Sequence, residues 1–244
     1  MSICALIPAR FNSKRLYGKP LLQLKNKEIL LRTYENVKKV FKEKDIYIFT
    51  DKEIVKKKMN YKIKNIIVEN GNFKNGTERL SKGIYKIKKD YKAGMIISCD
   101  NSFINKNTIT STIKSFNEIK NNNLYFGSTV HKKETDKSIF LSKSTAKVVL
   151  DKKNDIMYLS RSPIPTFNKT NFFFTHHGPV CVKMNLLKKF IKWNSSILQL
   201  REDNEWLKIL ENGYKIRSRL IKNINPEINT IKDIRYYKKI LYEK

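Results

Sequence analysis

Four cations within ten residues, Arg10, Lys14, Arg15 and Lys19, follow directly on a short apolar run, Ile3 to Pro8. Interspersed with Ser13 and Gly18, they make a loop that can wrap a phosphate chain with charged and neutral donors. It is not a Walker P-loop, because Gly18-Lys19 lacks the upstream glycine and is followed by Pro20 instead of Ser or Thr. Read by itself, the loop is either such a cradle or an ordinary solvated loop of a basic protein. A second group, Asn75-Gly76-Thr77-Glu78-Arg79, opens a helical stretch, where free N–H groups attract anions. Gly76 would let a ligand approach the backbone, but the spacing of Asn75 and Glu78 favours helix capping. Asp100 closes another apolar run, where a carboxylate suits a magnesium ion bridging phosphates or, equally, caps the next turn.

These residues share a placement. Ile3 to Pro8, Asp45 to Thr50, Asn65 to Glu69 and Met95 to Cys99 read as buried strands. Between them, Glu28 to Glu43 and Thr77 to Tyr91 carry apolar residues at helical spacing, such as Ile29, Leu30, Tyr34, Val37 and Phe41. Strand–helix alternation of this kind implies a mainly parallel sheet covered on both faces, with ligands beyond the carboxyl ends of its strands. The cationic loop, Thr50-Asp51, the Asn75–Arg79 segment and Asp100 all fall just after a strand.

The 244 residues carry 51 Lys+Arg against 22 Asp+Glu, a formal +29, with 40% hydrophobic residues, enough for a real core. The basic residues are spread from end to end among Ile, Tyr, Phe and Asn, as in an AT-rich coding bias, and read as solvated helix faces. With no zinc-finger, RNP or basic-zipper spacing, a nucleic-acid partner is not expected. Cys4, Cys99 and Cys181 form no CxxC pair and read as reduced thiols; no apolar run suits a membrane span. A soluble, cytoplasmic chain of one domain, 1–244, is expected, since no linker or repeat marks a boundary.

In order along the chain, further short motifs follow the first loop. Ile7-Pro8-Ala9-Arg10 through Ser13, Arg15-Leu16 and Gly18-Lys19-Pro20-Leu21 come first, then Thr50-Asp51 and Gly76-Thr77-Glu78-Arg79-Leu80. Ala146-Lys147-Val148-Val149, Tyr158-x-Ser160-Arg161, Ile164-Pro165, His176-x-Gly178, Glu202-x-x-Glu205-x-Leu207 and Gly213-x-Lys215-Ile216 complete the series. The series resembles the 3-deoxy-manno-octulosonate cytidylyltransferases (CMP-KDO synthetases), a family of sugar-activating cytidylyltransferases, over nearly the whole chain. The resemblance implies an α/β, three-layer, Rossmann-like fold. Its sheet would be mixed and mainly parallel, of the nucleotide-sugar transferase type, with a small inserted β region for dimerisation and sugar binding.

The reaction it implies is transfer of CMP from CTP to the anomeric hydroxyl of an acidic 2-keto-3-deoxy sugar, KDO or a relative, with release of pyrophosphate. It also implies a Mg2+ cofactor and a homodimer, with 183–193 near the interface. In residues, Arg10, Arg15 and Lys19 would hold the triphosphate, with Lys19 and Arg10 acting in catalysis beside Asp100. Ser13, Asn75, Gly76 and Arg79 would line the nucleotide. Arg161, His176, Glu202 and Glu205 would contact the sugar, Arg161 its carboxylate. Asp100 and Asn229 would hold the metal.

Departures from the family pattern are specific. The family's QGDEP stands here as Ser98-Cys99-Asp100-Asn101-Ser102, and the second aspartate of its VDTPEDL aligns with Asn229. An amide oxygen ligates magnesium but brings no charge. Tyr17 replaces a proline and Gln199 a glutamate. A KDO enzyme, an enzyme for another acidic sugar such as a sialic-acid-like nonulosonate, and a catalytically weakened homologue all remain open on these residues.

Overall fold

The structure, a computed structural model, describes residues 2–13, 15–166, 171–223 and 226–242. Its chain divides into two compact units, Met1–Lys106 with Asn225–Lys244, and Asn107–Ile224. Lys14 of the cationic loop lies outside the described residues.

In the first unit, β1 (Ile3–Pro8) is central, paired in parallel with β4 (Ile46–Thr50) and β6 (Ala93–Ile96). A short hairpin, β2 (Gln23–Leu24) and β3 (Lys27–Glu28), leads into α1 (Ile29–Lys38); α2 (Glu53–Met59) follows β4, and β5 (Ile66–Val68) pairs in parallel with β4. The expected order of strands and helices holds. Strands read as solid apolar runs because the inner residues of β1, Cys4 to Ile7, are fully buried, as a parallel strand covered on both faces requires.

Several boundaries differ from the sequence reading, most by one residue and others by more. The first helix ends at Lys38 because the N–H groups of Val40 and Phe41 both fold back to Val37 O, before a 3-10 turn at Glu43–Asp45. The second, α3 (Gly76–Gly83), tightens into a 3-10 turn at Ile84–Lys86, and the lysine-rich stretch beyond is not helical. At Gly83 a Cβ would stand 2.6 Å from Phe49 Cδ1, so only glycine allows this helix so close to β4. The fourth strand starts two residues earlier than its bulky residues suggest. Lys92 and Ala93 N–H groups both bond Ser2 O, and Ala93-Gly94 offers little apolar bulk for a periodicity reading to detect.

The second unit opens with α4 (Lys106–Ile119) and β7 (Tyr125–Glu134). After α5 (Lys137–Leu141), β8 (Lys147–Leu150) and β9 (Ile156–Ser160) form an antiparallel hairpin whose β8 also pairs with β10 (Phe173–Lys183). This hairpin adds a small antiparallel β element to the unit. Its turn is tied by Asp151 Oδ1, which accepts from the N–H groups of Lys153 and Asp155, with Asn154 in the left-handed region. β10 runs antiparallel to β7, and after α6 (Met184–Phe190), α7 (Ile197–Glu202) and α8 (Leu207–Glu211), β11 (Lys215–Leu220) pairs in parallel with β7.

The chain then returns to the first unit with α9 (Ile231–Tyr242). Thr230 and Asp233 cap it reciprocally: Thr230 N–H donates to Asp233 Oδ2, and Asp233 N–H to Thr230 Oγ1. Ile228 and Ile234 join Leu16, Leu24 and Ile29 in one buried cluster, which fastens the returning segment to the first loop.

Candidate active site

The first unit supplies the anion-binding chemistry. The loop after β1 is clamped by the residue after β4: Asp51 accepts from Phe11 N–H at 2.6 Å through Oδ1 and from Asn12 N–H at 3.3 Å through Oδ2. Gly18 N–H returns to Phe11 O, and Gly18 sits at φ 69°, a backbone conformation that suits glycine. The turn aims Lys19 inward. It is only 6% exposed, and its Nζ donates to Asp100 Oδ2 at 2.8 Å and to Asn229 Oδ1 at 3.4 Å. Arg15, exposed, reaches the same Asn229 oxygen at 3.2 Å. Arg10 Nε is buried with no hydrogen-bond partner among the described residues, a donor for which a bound anion is the natural acceptor.

Asn75 caps α3, its Oδ1 accepting Glu78 N–H, while Glu78 Oε2 accepts from Lys74 N–H. The capping reading of this segment therefore holds. The space that Gly76 leaves open faces Pro8, whose Cβ would lie 3.2 Å from an added Cβ; it lets the helix start pack on the end of β1. Arg79 is buried, its guanidinium 5.4 Å from the Phe73 ring and its Nε donating to Glu69 O. Burial pushes its pKa down, Arg10 adds to that, and Asp51 and Glu69 oppose it. Arg79 thus feels the charges of both Arg10 and Asp51.

Asp100 lies at the end of the segment that continues β6, where Cys99 N–H bonds Pro8 O. Two residues join it from the returning segment. Asn229 is one. The other, Glu227, escaped the sequence reading. Asn101 Nδ2 donates to both Asp100 Oδ1 (3.4 Å) and Glu227 Oε1 (3.0 Å), and Asn229 Nδ2 donates to Glu227 Oε2 (3.3 Å). Burial, and then the Asp100 carboxylate, push the Glu227 pKa up from its ordinary value, against donation from Asn101 and Asn229 and the charge of Lys19. The available signal was an acid two residues from Asn229 in Pro226-Glu227-Ile228-Asn229.

Arg161, His176, Glu202 and Glu205 lie in the second unit. The Glu202 carboxylate accepts from Ser160 Oγ (2.6 Å), Tyr158 OH (3.3 Å) and Arg161 N–H (3.3 Å), which pins the end of β9 to α7. Arg161 NH1 donates to Ser144 O (2.9 Å), leaving its buried Nε without a partner among the described residues. Beneath it, the fully buried Lys147 Nζ donates to the carbonyls of Ser142, Thr145 and Arg161, and burial pushes its pKa down. The sequence series contains Lys147, but only the packing reveals that it organises this corner. Glu205 lies in the turn before α8.

His176 faces His131 across β10 and β7, and its Nε2 is 3.2 Å from Thr129 Oγ1. Burial pushes His176 down to about 4, helped by His131, which burial likewise pushes to about 4. Both are therefore neutral imidazoles near pH 7, able to hydrogen-bond but not to carry charge. Arg161, Glu202, Tyr158, Ser160 and Lys147 come together around the β8–β9 hairpin, and His176 sits beside them through its N–H bond to Ala146 O.

A family model described as cytidylyltransferase matches residues 4–222. The chain is 31% identical to a 3-deoxy-manno-octulosonate cytidylyltransferase of Thermodesulfovibrio yellowstonii, covering 99% of this chain and 98% of the relative. It is 30% identical to a protein of the same name from Protochlamydia amoebophila, over 95% of this chain and 91% of that one. Among solved structures, a CMP:2-keto-3-deoxy-manno-octonic acid synthetase complexed with CTP superposes with a TM-score of 0.88 at 21% identity, covering 100% of this chain and 99% of that one. That likeness bears on the fold, and agrees with the α/β, Rossmann-like, mainly parallel architecture.

Proposed function

Because the chain belongs to the cytidylyltransferase family, we propose that it transfers CMP from CTP to the anomeric hydroxyl of 3-deoxy-manno-octulosonate or a closely related acidic 2-keto sugar. The anomeric oxygen attacks the α-phosphorus, the bond from that phosphorus to the bridging oxygen breaks, and pyrophosphate leaves with the bonding pair. The hydroxyl proton passes to solvent or buffer. Such a reaction needs positioning and charge neutralisation, not a protein nucleophile.

The observation that carries the reading is the meeting of Lys19, Asp100 and Asn229 at the carboxyl edge of the parallel strands, beside the clamped cationic loop. Lys19, Arg10 and Arg15 hold the triphosphate in this reading, and the unpartnered Arg10 Nε supports it. Ser13 and the Asn75–Arg79 segment border the nucleotide. Asn75 and Gly76 contribute by shaping that segment, through the cap and the contact with Pro8. In the second unit, Arg161 is the partner of the sugar carboxylate, with Glu202 and Lys147 holding it in place. His176 offers the sugar a neutral donor or acceptor, and Glu205 borders the same region.

The oxygen donors present suit magnesium: a carboxylate at Asp100 and an amide oxygen at Asn229 are the hard ligands that ion takes alongside phosphate oxygens. When bound there, it would supply charge neutralisation on the phosphates. The enzyme works as a cytoplasmic homodimer in this reading. Among the described residues, no helix is long and apolar enough to cross a membrane.

The deciding experiment is pyrophosphate release from CTP with magnesium and a panel of ulosonic and nonulosonic acids. Turnover with KDO that exceeds the other acids supports the reading. No release with any of them at high enzyme concentration overturns it.

A further inference from the structure

Glu227 has no task in that reading, yet it sits in the middle of the site. Ile228 is fully buried in the cluster with Leu16, Leu24, Ile29 and Ile234, and its N–H bonds Asp100 O at 3.1 Å. With Ile228 anchored in the core, its two neighbours bond the residues that Asp100 also bonds, Glu227 through Asn101 and Asn229 through Lys19. The hydrogen bonds close into a ring. From Glu227 it runs through Asn101 Nδ2 to Asp100, from Asp100 Oδ2 to Lys19 Nζ, then to Asn229 Oδ1, and from Asn229 Nδ2 back to Glu227.

The ring holds two carboxyl groups, Asp100 and Glu227, and one amine, Lys19, joined by the amides of Asn101 and Asn229. Arg15 reaches the Asn229 amide from an exposed position where water screens its charge. An excess carboxylate among oxygen donors, beside the residues proposed to hold a triphosphate, favours a divalent cation. It also supplies what an amide at 229 cannot.

We infer that Glu227 is a magnesium ligand of this chain, carrying from position 227 the second negative charge of a site whose other protein oxygens come from Asp100 and Asn229. The inference rests on the cytidylyltransferase reading and deepens it.

Mn2+ is the probe, titrated into the full-length protein with and without CTP, with free Mn2+ read from its electron paramagnetic resonance signal. Glu227→Gln keeps the shape and hydrogen-bonding reach of the side chain, and is expected to weaken Mn2+ binding by about tenfold or more. Adding Asn229→Asp to that variant moves the charge two residues along and is expected to restore most of the affinity. A loss below about threefold in Glu227→Gln overturns the inference. So does a double variant that binds no better than the single one. Should Glu227→Gln not fold by thermal unfolding, Glu227→Asp, which keeps the charge, is compared with Glu227→Asn, which removes it; equal Mn2+ affinities overturn the inference. A wild type that neither binds CTP nor releases pyrophosphate takes the functional reading down, and this inference with it. A wild type that turns over while Glu227→Gln keeps full Mn2+ affinity overturns the inference alone.

Discussion

Asp51→Ala tests whether the cationic loop works because it is held, and not merely because it is charged. Asp51 makes two charge-assisted bonds to the loop backbone, one short at 2.6 Å to Phe11 N–H and one long at 3.3 Å to Asn12 N–H. Hydrogen bonds to charged groups contribute about 1.5–3 kcal/mol each, and the long, exposed bond belongs at or below the bottom of that range. Removing both should therefore cost about 2–3 kcal/mol of loop order. If that order is restored on binding the triphosphate, kcat/KM for CTP falls by about 30- to 150-fold, at 1.36 kcal/mol per decade. The loss should fall on the nucleotide side, with KM for the sugar little changed, since the loop belongs to the triphosphate in the proposed reading. The assay is steady-state pyrophosphate release with CTP and sugar varied in turn, alongside a urea unfolding curve. A variant whose kcat/KM for CTP stays within about threefold of wild type, while its unfolding midpoint falls, would refute the reasoning, because Asp51 would then support the fold and not the loop.

Gly83→Ala places a Cβ 2.6 Å from Phe49 Cδ1, and although alanine favours helix, overpacking of about 1–3 kcal/mol should win and lower the thermal midpoint; an unchanged midpoint would show that Phe49 can move aside. Lys147→Met leaves three carbonyls without their donor and is expected to lower the unfolding midpoint and raise KM for the sugar far more than for CTP, as read by the same kinetic assay. His131 and His176 are pushed to about 4 by burial, below the unfolded value near 6.5. Their neutral form is the folded one, so their contribution is complete above pH 6.5 and is lost as pH falls from there toward 4. Each adds a slope of up to about 1.4 kcal/mol per pH unit in that window. Denaturant unfolding between pH 7 and pH 5 reads it, and a flat stability profile there would mean that the imidazoles accept protons without unfolding.

How much was legible follows from sequence distance. Ile3 to Pro8 and Ile46 to Thr50 announce themselves because a strand buried on both faces has no polar alternation to disguise it. The Asn75 cap was equally local, with donor and acceptor three residues apart. Helix ends were less so: nothing in Glu28 to Glu43 shows that Val40 and Phe41 turn back on Val37, and nothing near Gly83 shows that Phe49 lies against it. Glu202 reads along the chain as a residue for the sugar, whereas in the fold its carboxylate is already engaged by Ser160, Tyr158 and Arg161. His176 had no visible reason to be uncharged until the fold buried it, with His131 opposite.

The amino-acid sequence by itself determined the class of fold and the chemistry on offer, because burial patterns and the types of residue after each strand are local properties. It placed Arg10, Arg15, Lys19 and Asp100 at the ligand edge of a parallel sheet. Only the tertiary structure decided which charges meet. Lys19 and Asn229 are separated by 210 residues and Asn101 and Glu227 by 126, and no local pattern encodes such a pairing. It is set by the burial of Ile228 and Ile234 against Leu16, Leu24 and Ile29, which draws the returning segment onto the first loop and brings with it a carboxylate at the position next but one to the amide.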